Sequence, residues 1–163
     1  MCEEDVPNKT VGVVQAEKVE ARIGTGYPTP YDEPCLLRER KALGNAVGLT
    51  QFGVNLTVLP PGCWSSQRHW HEQEDEMIYV LEGEVTLITD QGEQLLQAGS
   101  VAGFPAGCPN GHHLVNKGEE PVKLLEMGTR AQNETAHYSE IDLMAKGGGG
   151  QYRFLRKNGE PVK

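Results

Sequence analysis

Two histidines two residues apart, His69 and His71, with Glu76 five residues further on, are the side chains of this sequence whose types and spacing point most directly to chemistry. On an extended strand, positions i and i+2 project from the same face, so the two imidazoles stand side by side and Trp70 points the other way. Glu76 follows a short polar stretch, Glu72-Gln73-Glu74-Asp75, and opens an apolar one, Met77-Ile78-Tyr79-Val80-Leu81. A hairpin there would return its carboxylate to the imidazole pair. Imidazole plus carboxylate suits a borderline divalent metal ion such as Zn, Fe, Mn or Ni. A fourth candidate, His112, lies in a second stretch punctuated by Gly99, Pro105, Gly107 and Asn116, with His113 as the alternative beside it. It would have to arrive from a distant strand, which an antiparallel barrel allows because interior positions of many strands converge on one cavity.

Together these stretches resemble the paired motifs of the cupin superfamily. The first motif reads Gly62, His69, His71, Glu76, Gly83, and the second Gly99, Pro105, Gly107, His112, Asn116. The gap from Gly62 to His69 is one residue longer than the usual pattern, and two extra residues separate Gly107 from its histidine. The His112-to-Asn116 spacing fits the family and favours His112 over His113. The resemblance spans residues 62–116. It implies an all-β fold, a cupin-like double-stranded β-helix or jelly-roll barrel, with His69, His71, Glu76 and His112 as metal ligands. Three neutral imidazoles and one carboxylate would leave an octahedral ion two open positions. Cupins commonly pair barrels, so a homodimer is expected, with the arm packed on the barrel or on the partner subunit.

The elements that must position these residues follow from patterning. At 163 residues the chain reads as one domain with a core of useful size. Residues 1–44 read as an N-terminal arm, 45–130 as the barrel and 131–163 as a C-terminal extension packing on it. In the arm, Val11–Val14 is expected to form a short strand and 34–43 a helical turn. Phe52, Val54, Leu56 and Val58 alternate with Gly53, Asn55 and Thr57, the period of a strand. Pro60-Pro61-Gly62 ends it. Further strands are expected over 77–82, 84–89, 93–97, 101–104, 112–116 and 122–128, separated by glycine- and proline-bearing turns. In the extension, 131–134 is expected to be exposed and Gly147–Gly150 to be a flexible linker. Residues 152–162 read as a hairpin around Asn158-Gly159.

Charge and composition exclude several functions. The formal net charge of −8 argues against a nucleic-acid partner, whose phosphates need Lys and Arg. There is no basic amphipathic segment for a membrane surface and no apolar run near the ~20 residues of a spanning helix. The acidic start, Met1-Cys2-Glu3-Glu4-Asp5, does not look like a secretory signal. Cys2, Cys35, Cys63 and Cys108 form no Cys-x-x-Cys pair and are expected as reduced packing thiols in a cytoplasmic protein.

The remaining polar residues have plainer readings. Glu72, Glu74 and Asp75 read as a solvated hairpin tip, His137 as exposed, Trp64 and Trp70 as packing residues, and Asn116 as support for a turn. Tyr79 and Tyr138 read as core or rim residues. The expected function is a metal-dependent enzyme acting on a small polar molecule, either an isomerase of a sugar or sugar phosphate or an iron-dependent dioxygenase. A non-catalytic small-molecule binding or sensor module is the alternative of a different class. Within 45–130 the cations are few, namely Arg68, Lys117, Lys123 and Arg130, which weighs modestly against a phosphorylated substrate.

Overall fold

The structure, a computed structural model, describes residues 11–162. Its strands in chain order are β1 (Arg22–Ile23), β2 (Glu39–Ala42), β3 (Phe52–Leu59), β4 (His69–His71), β5 (Glu76–Glu82), β6 (Glu84–Thr89), β7 (Gly92–Gln97), β8 (Val101–Phe104), β9 (His113–Val115), β10 (Val122–Thr129), β11 (Glu134–Tyr138), β12 (Met144–Gly148) and β13 (Gln151–Leu155). A four-residue helix, α1 (Leu43–Ala46), links β2 to β3. The fold is all-β and its strand pairs are antiparallel, as expected of a jelly-roll barrel.

Three sheets enclose the interior, in the orders β1-β2-β3-β10-β5-β8, β13-β12-β11-β4 and β7-β6-β9. Neighbours in the largest sheet are far apart in sequence: Val122 on β10 faces Leu59 on β3, and Glu126 faces Ile78 on β5. Leu59, Val80, Val85, Val122 and Leu124 are fully enclosed between the sheets. Each such side chain contributes about 1.5–3 kcal/mol by leaving water.

The alternation on β3 holds, but its sense is informative. Thr57 and Leu59 are buried, whereas Phe52, Val54, Leu56 and Val58 occupy the opposite, outer face. On neighbouring strands Met77, Tyr79, Leu81 and Val101 are likewise exposed. The largest sheet is therefore apolar on both faces, and its inner face carries polar groups where the cavity lies.

The N-terminal segment joins this sheet. β2 pairs with β3, and β1 pairs with β2, Arg22 lying opposite Arg40. The strand expected at Val11–Val14 does not form, and Val11 and Val13 stand exposed with no partner strand. The helical turn expected over 34–43 is shorter: a 3-10 turn at Glu33–Cys35 gives way to β2 and then α1. Tyr27 packs edge-on against Tyr138 of β11, with centroids 5.5 Å apart, and also against Phe154 of β13. This second cluster, with Leu143 and Ala145, ties the segment around residue 27 to the C-terminal strands.

Gly147–Gly150 is not a linker. Gly147 and Gly148 end β12, and Gly149 and Gly150 make the hairpin turn with φ of +61° and +84°. A Cβ on Gly148 would stand 1.8 Å from the Gln132 carbonyl oxygen, so close backbone approach requires glycine there.

Candidate metal centre

The backbone sets the site before the side chains do. β4 presents His69 and His71 from one face and pairs with β11, Tyr138 lying opposite His69. His69 and His112 form an antiparallel bridge: the His69 amide donates to the His112 carbonyl at 3.1 Å, and the His112 amide to the His69 carbonyl at 2.8 Å. Directly opposed residues share a face, so His112 joins the pair and His113 turns away. His113 meets Trp64 edge-on at 4.6 Å, and its Nδ1 lies 3.0 Å from the Ser66 carbonyl. Glu76 opens β5, opposite Gly128 of β10 and Phe104 of β8. A Cβ on Gly128 would meet Glu76 Cγ at 3.4 Å and the Asp75 carbonyl at 3.2 Å, so glycine there gives the carboxylate its room.

Three imidazole nitrogens converge on one carboxylate oxygen. Glu76 Oε2 lies 2.9 Å from His112 Nε2, 3.4 Å from His71 Nε2 and 3.5 Å from His69 Nε2. The four residues come from two strands and the loop before β9, separated by up to 43 positions (112 − 69). This is the donor set the sequence suggests, three nitrogens and one oxygen of intermediate softness, and it fits a divalent ion. The ring orientations suit that use. His69 Nδ1 lies 2.8 Å from the Gln67 carbonyl, to which it donates, leaving Nε2 free to bind an ion between it and Glu76. The His112 ring lies flat on Phe104, centroids 3.6 Å apart.

Behind His71 stand two carboxylates that sequence reading places in solvent. Glu134 Oε1 and Glu74 Oε2 lie 3.6 Å and 3.9 Å from His71 Nδ1, and both side chains are buried. Glu134 accepts the backbone amides of Glu72 and Gln73, each at 2.9 Å. Glu74 accepts the Ala131 amide at 2.9 Å and the Tyr152 hydroxyl at 2.6 Å. The 72–75 turn is thus folded inward around its acids, correcting its reading as a solvated tip for Glu74, and 131–134 as exposed for Glu134. His137 is half-buried, stacked on Trp70 at 4.5 Å with Nε2 2.7 Å from Glu72. Asn116 supports a turn as expected, donating to the Leu59 and Glu120 carbonyls at 2.8 Å each.

Charge is divided unevenly within the cluster. Burial would raise the Glu76 carboxyl pKa, but the surrounding imidazoles of His112, His69 and His71 more than offset it and hold it well below the usual range. Burial pushes His112 down to about 4, against its bond to Glu76. On His71 burial also acts downward, yet Glu76, Glu134 and Glu74 together raise its pKa. His71 therefore takes a proton more readily than a free imidazole does, and His112 stays neutral, the form in which imidazole binds a metal.

The cluster faces a cavity of about 580 Å³, within the size range of small-molecule sites. Its walls include groups with no signal in the sequence motifs. Glu126 accepts from the Thr57 hydroxyl at 2.5 Å and from Arg40 Nη2 at 2.7 Å. Arg22, Arg38 and Arg40, all outside the barrel segment as read from sequence, line the same space. The expected cations of 45–130 mostly turn away: Arg68 bonds Asp90 and Glu140, Lys117 bonds Glu93, and Lys123 bonds Glu82.

Comparison with known proteins bears on the family and the fold. Residues 55–128 match the family model of the Cupin domain. The chain is similar to the crystal structure of a sugar phosphate isomerase of the cupin superfamily from Silicibacter pomeroyi, at 44% identity, with 93% of this chain and 96% of that chain covered and a TM-score of 0.87. It is similar to a candidate sugar phosphate isomerase from Acidithiobacillus ferrooxidans at 26% identity, over 93% and 96% of the two chains, with a TM-score of 0.76. The polyketide cyclase RemF of Streptomyces resistomycificus, 24% identical over 74% of this chain and 80% of that one, shares the fold with a TM-score of 0.59. No curated protein matches the sequence. With its two motifs brought to one cavity and a full-length relative at this level of identity, the chain belongs to the cupin superfamily.

Proposed function

We propose that this protein is a metal-dependent isomerase of a small sugar or sugar phosphate, with a divalent ion held by His69, His71, Glu76 and His112. The observation that carries the reading is the convergence of three Nε2 atoms on Glu76 Oε2 at the wall of an open cavity. The similarity of 44% over nearly the whole chain to a sugar phosphate isomerase supports the reaction class. A divalent ion held there by these four residues would supply Lewis acidity toward the oxygens of an open-chain sugar.

The chain's own residues account for the rest of the reaction. Interconversion of an aldose and a ketose removes a proton from the carbon beside the carbonyl and returns it to the neighbouring carbon. A second proton passes from the hydroxyl oxygen to the carbonyl oxygen, so no outside oxidant is needed. Glu126 is the group placed to carry the carbon-bound proton. It lies on the inner face of β10, two residues from Gly128, which pairs with Glu76. Thr57 and Arg40 hold its carboxylate in one orientation. A positioned carboxylate of this kind is worth about 10²–10⁴ in rate.

The test is hydrogen exchange from candidate sugars and sugar phosphates in heavy water, with the protein loaded with Mn or Zn. The expected result is exchange coupled to aldose–ketose conversion, lowered at least 100-fold in Glu126→Gln with metal content unchanged. Oxygen consumption by the iron-loaded protein in place of exchange would overturn the reading.

A further inference from the structure

The end of the cavity formed by the N-terminal strands carries more positive charge than its protein partners use. Arg22 and Arg40 are directly opposite across the β1–β2 pair. Opposed residues share a face, with Cβ atoms roughly 5 Å apart, and like charges placed so are unfavourable. Arg40 points inward, since it reaches Thr57 and Glu126 on the inner face, so Arg22 is on that face as well. Both line the cavity. Glu126 offsets one of the two charges. Arg22 has no ion-pair partner among the described residues, and Arg40 keeps Nη1 without an acceptor there. In a chain of net charge −8, such a pairing is hard to explain by folding alone.

The surroundings are built rather than loose. Arg38, buried beside them, donates through Nη2 to the Gly24 carbonyl at 3.1 Å and through Nη1 to the Ser65 carbonyl, and its own carbonyl accepts the Gly24 amide at 2.8 Å. Its Nε, also buried, has no acceptor. These bonds fix the turn Gly24-Thr25-Gly26 at the same end of the cavity, where Gly24 has φ of +90°. Gly26 lies against the Arg22 guanidinium: a Cβ there would be 3.4 Å from Arg22 Nη2. The Thr25 hydroxyl accepts the Tyr27 amide at 3.3 Å and so has its own proton to donate.

We propose that Arg22 and Arg40, with the Gly24-Thr25-Gly26 turn, form a subsite for the phosphate group of the substrate, which rests on the isomerase reading above for the rest of the molecule. Guanidinium groups match phosphate through paired N–H donors, and two of them on one face give the bidentate grip that a lone lysine cannot. Glu126 then lies between this subsite and the His69–His71–Glu76–His112 cluster. A substrate held at both ends would present its middle carbons to that carboxylate. This reverses the inference from the barrel cations alone, because the arginines come from strands that the motif pattern leaves out.

The test is titration of inorganic phosphate into the full-length, metal-free protein, followed by NMR chemical shifts. One saturable site per chain is expected, weakened roughly 10- to 100-fold in Arg22→Gln and in Arg40→Gln, the scale of a lost charge-assisted pair. His69→Ala is expected to bind phosphate as the unaltered protein does. Arg22 is exposed, so its variant is expected to fold normally. Unchanged phosphate affinity in both arginine variants, or loss confined to His69→Ala, overturns the subsite. In steady-state assays Arg22→Gln should raise KM for a sugar phosphate at least 10-fold and leave KM for the free sugar unaltered; equal changes for both overturn the subsite. Phosphate binding lost in the arginine variants of a protein that exchanges no sugar hydrogen upholds the subsite while sinking the isomerase reading.

Discussion

Phe104 and His112 lie ring on ring, with centroids 3.6 Å apart and planes 1° from parallel. The contact joins the end of β8 to the residue that precedes β9, and it fixes the imidazole plane while Nε2 meets Glu76 at 2.9 Å. Stacked pairs of this kind are worth about 0.5–1.5 kcal/mol beyond burial. Phe104→Leu keeps an apolar side chain of similar reach and removes the stack. Metal affinity is expected to fall roughly 3- to 10-fold, the same energy expressed as a ratio, with little change in Tm. Competition with a chromophoric chelator measures it, and an unchanged affinity would show that backbone pairing alone orients His112.

Glu134 acts on the site through the turn it holds. It takes two backbone amides and faces His71 Nδ1 at 3.6 Å. Glu134→Gln keeps the shape, replaces one acceptor oxygen with a donor and removes the charge. Losing a charge-assisted bond to a buried amide costs about 1.5–3 kcal/mol of stability. Outer partners of metal-binding histidines commonly contribute 10- to 100-fold to affinity, and a drop of that size is expected here. Chemical denaturation and metal titration report the two effects separately; full metal affinity in a destabilised variant would confine Glu134 to holding the turn.

The cysteines give a pH dependence whose sign follows from burial. Desolvation pushes the Cys35 thiol up to about 11, against a value of 9.0 for the free group. The unfolded chain releases this proton first, so the contribution is fully present below about pH 9 and is lost as pH rises toward 11. The full effect is about 2–3 kcal/mol. Cys63 is shifted in the same direction, mainly by burial. Native protein at pH 8 is expected to react with a thiol reagent at exposed Cys108 and to be spared at Cys35 and Cys63, as read by peptide mass mapping. Rapid native labelling of Cys35 would contradict its enclosure.

What could be read from the sequence follows from how local each feature is. His69, His71 and Glu76 declare themselves because a strand, a turn and the next strand bring them together within eight residues. His112 needed its motif neighbours to be told from His113, and the reciprocal backbone bonds with His69 supply the reason it is the one turned inward. Glu134 and Glu74 read as surface acids because their partners are backbone amides, 61 and 62 residues away for Glu134 and 57 for Glu74. Arg22 and Arg40 lie in the N-terminal arm, outside both motifs, and the pairing of β1 with β2 and of β2 with β3 brings them to the cavity. Gly147–Gly150 read as a linker because composition does not distinguish a loose glycine run from one packed against Gln132 and Gln151.

The most direct test of the central claim is the coordination of a single bound ion, read by X-ray absorption on protein loaded with one equivalent of Zn or Mn, alongside the binding stoichiometry of His69→Ala and His112→Ala. The expected result is one ion per chain with a first shell of three imidazole nitrogens and a carboxylate oxygen, and at least 100-fold weaker binding in each variant. An ion bound with no imidazole contribution, or an affinity in both variants equal to that of the unaltered protein, would contradict it.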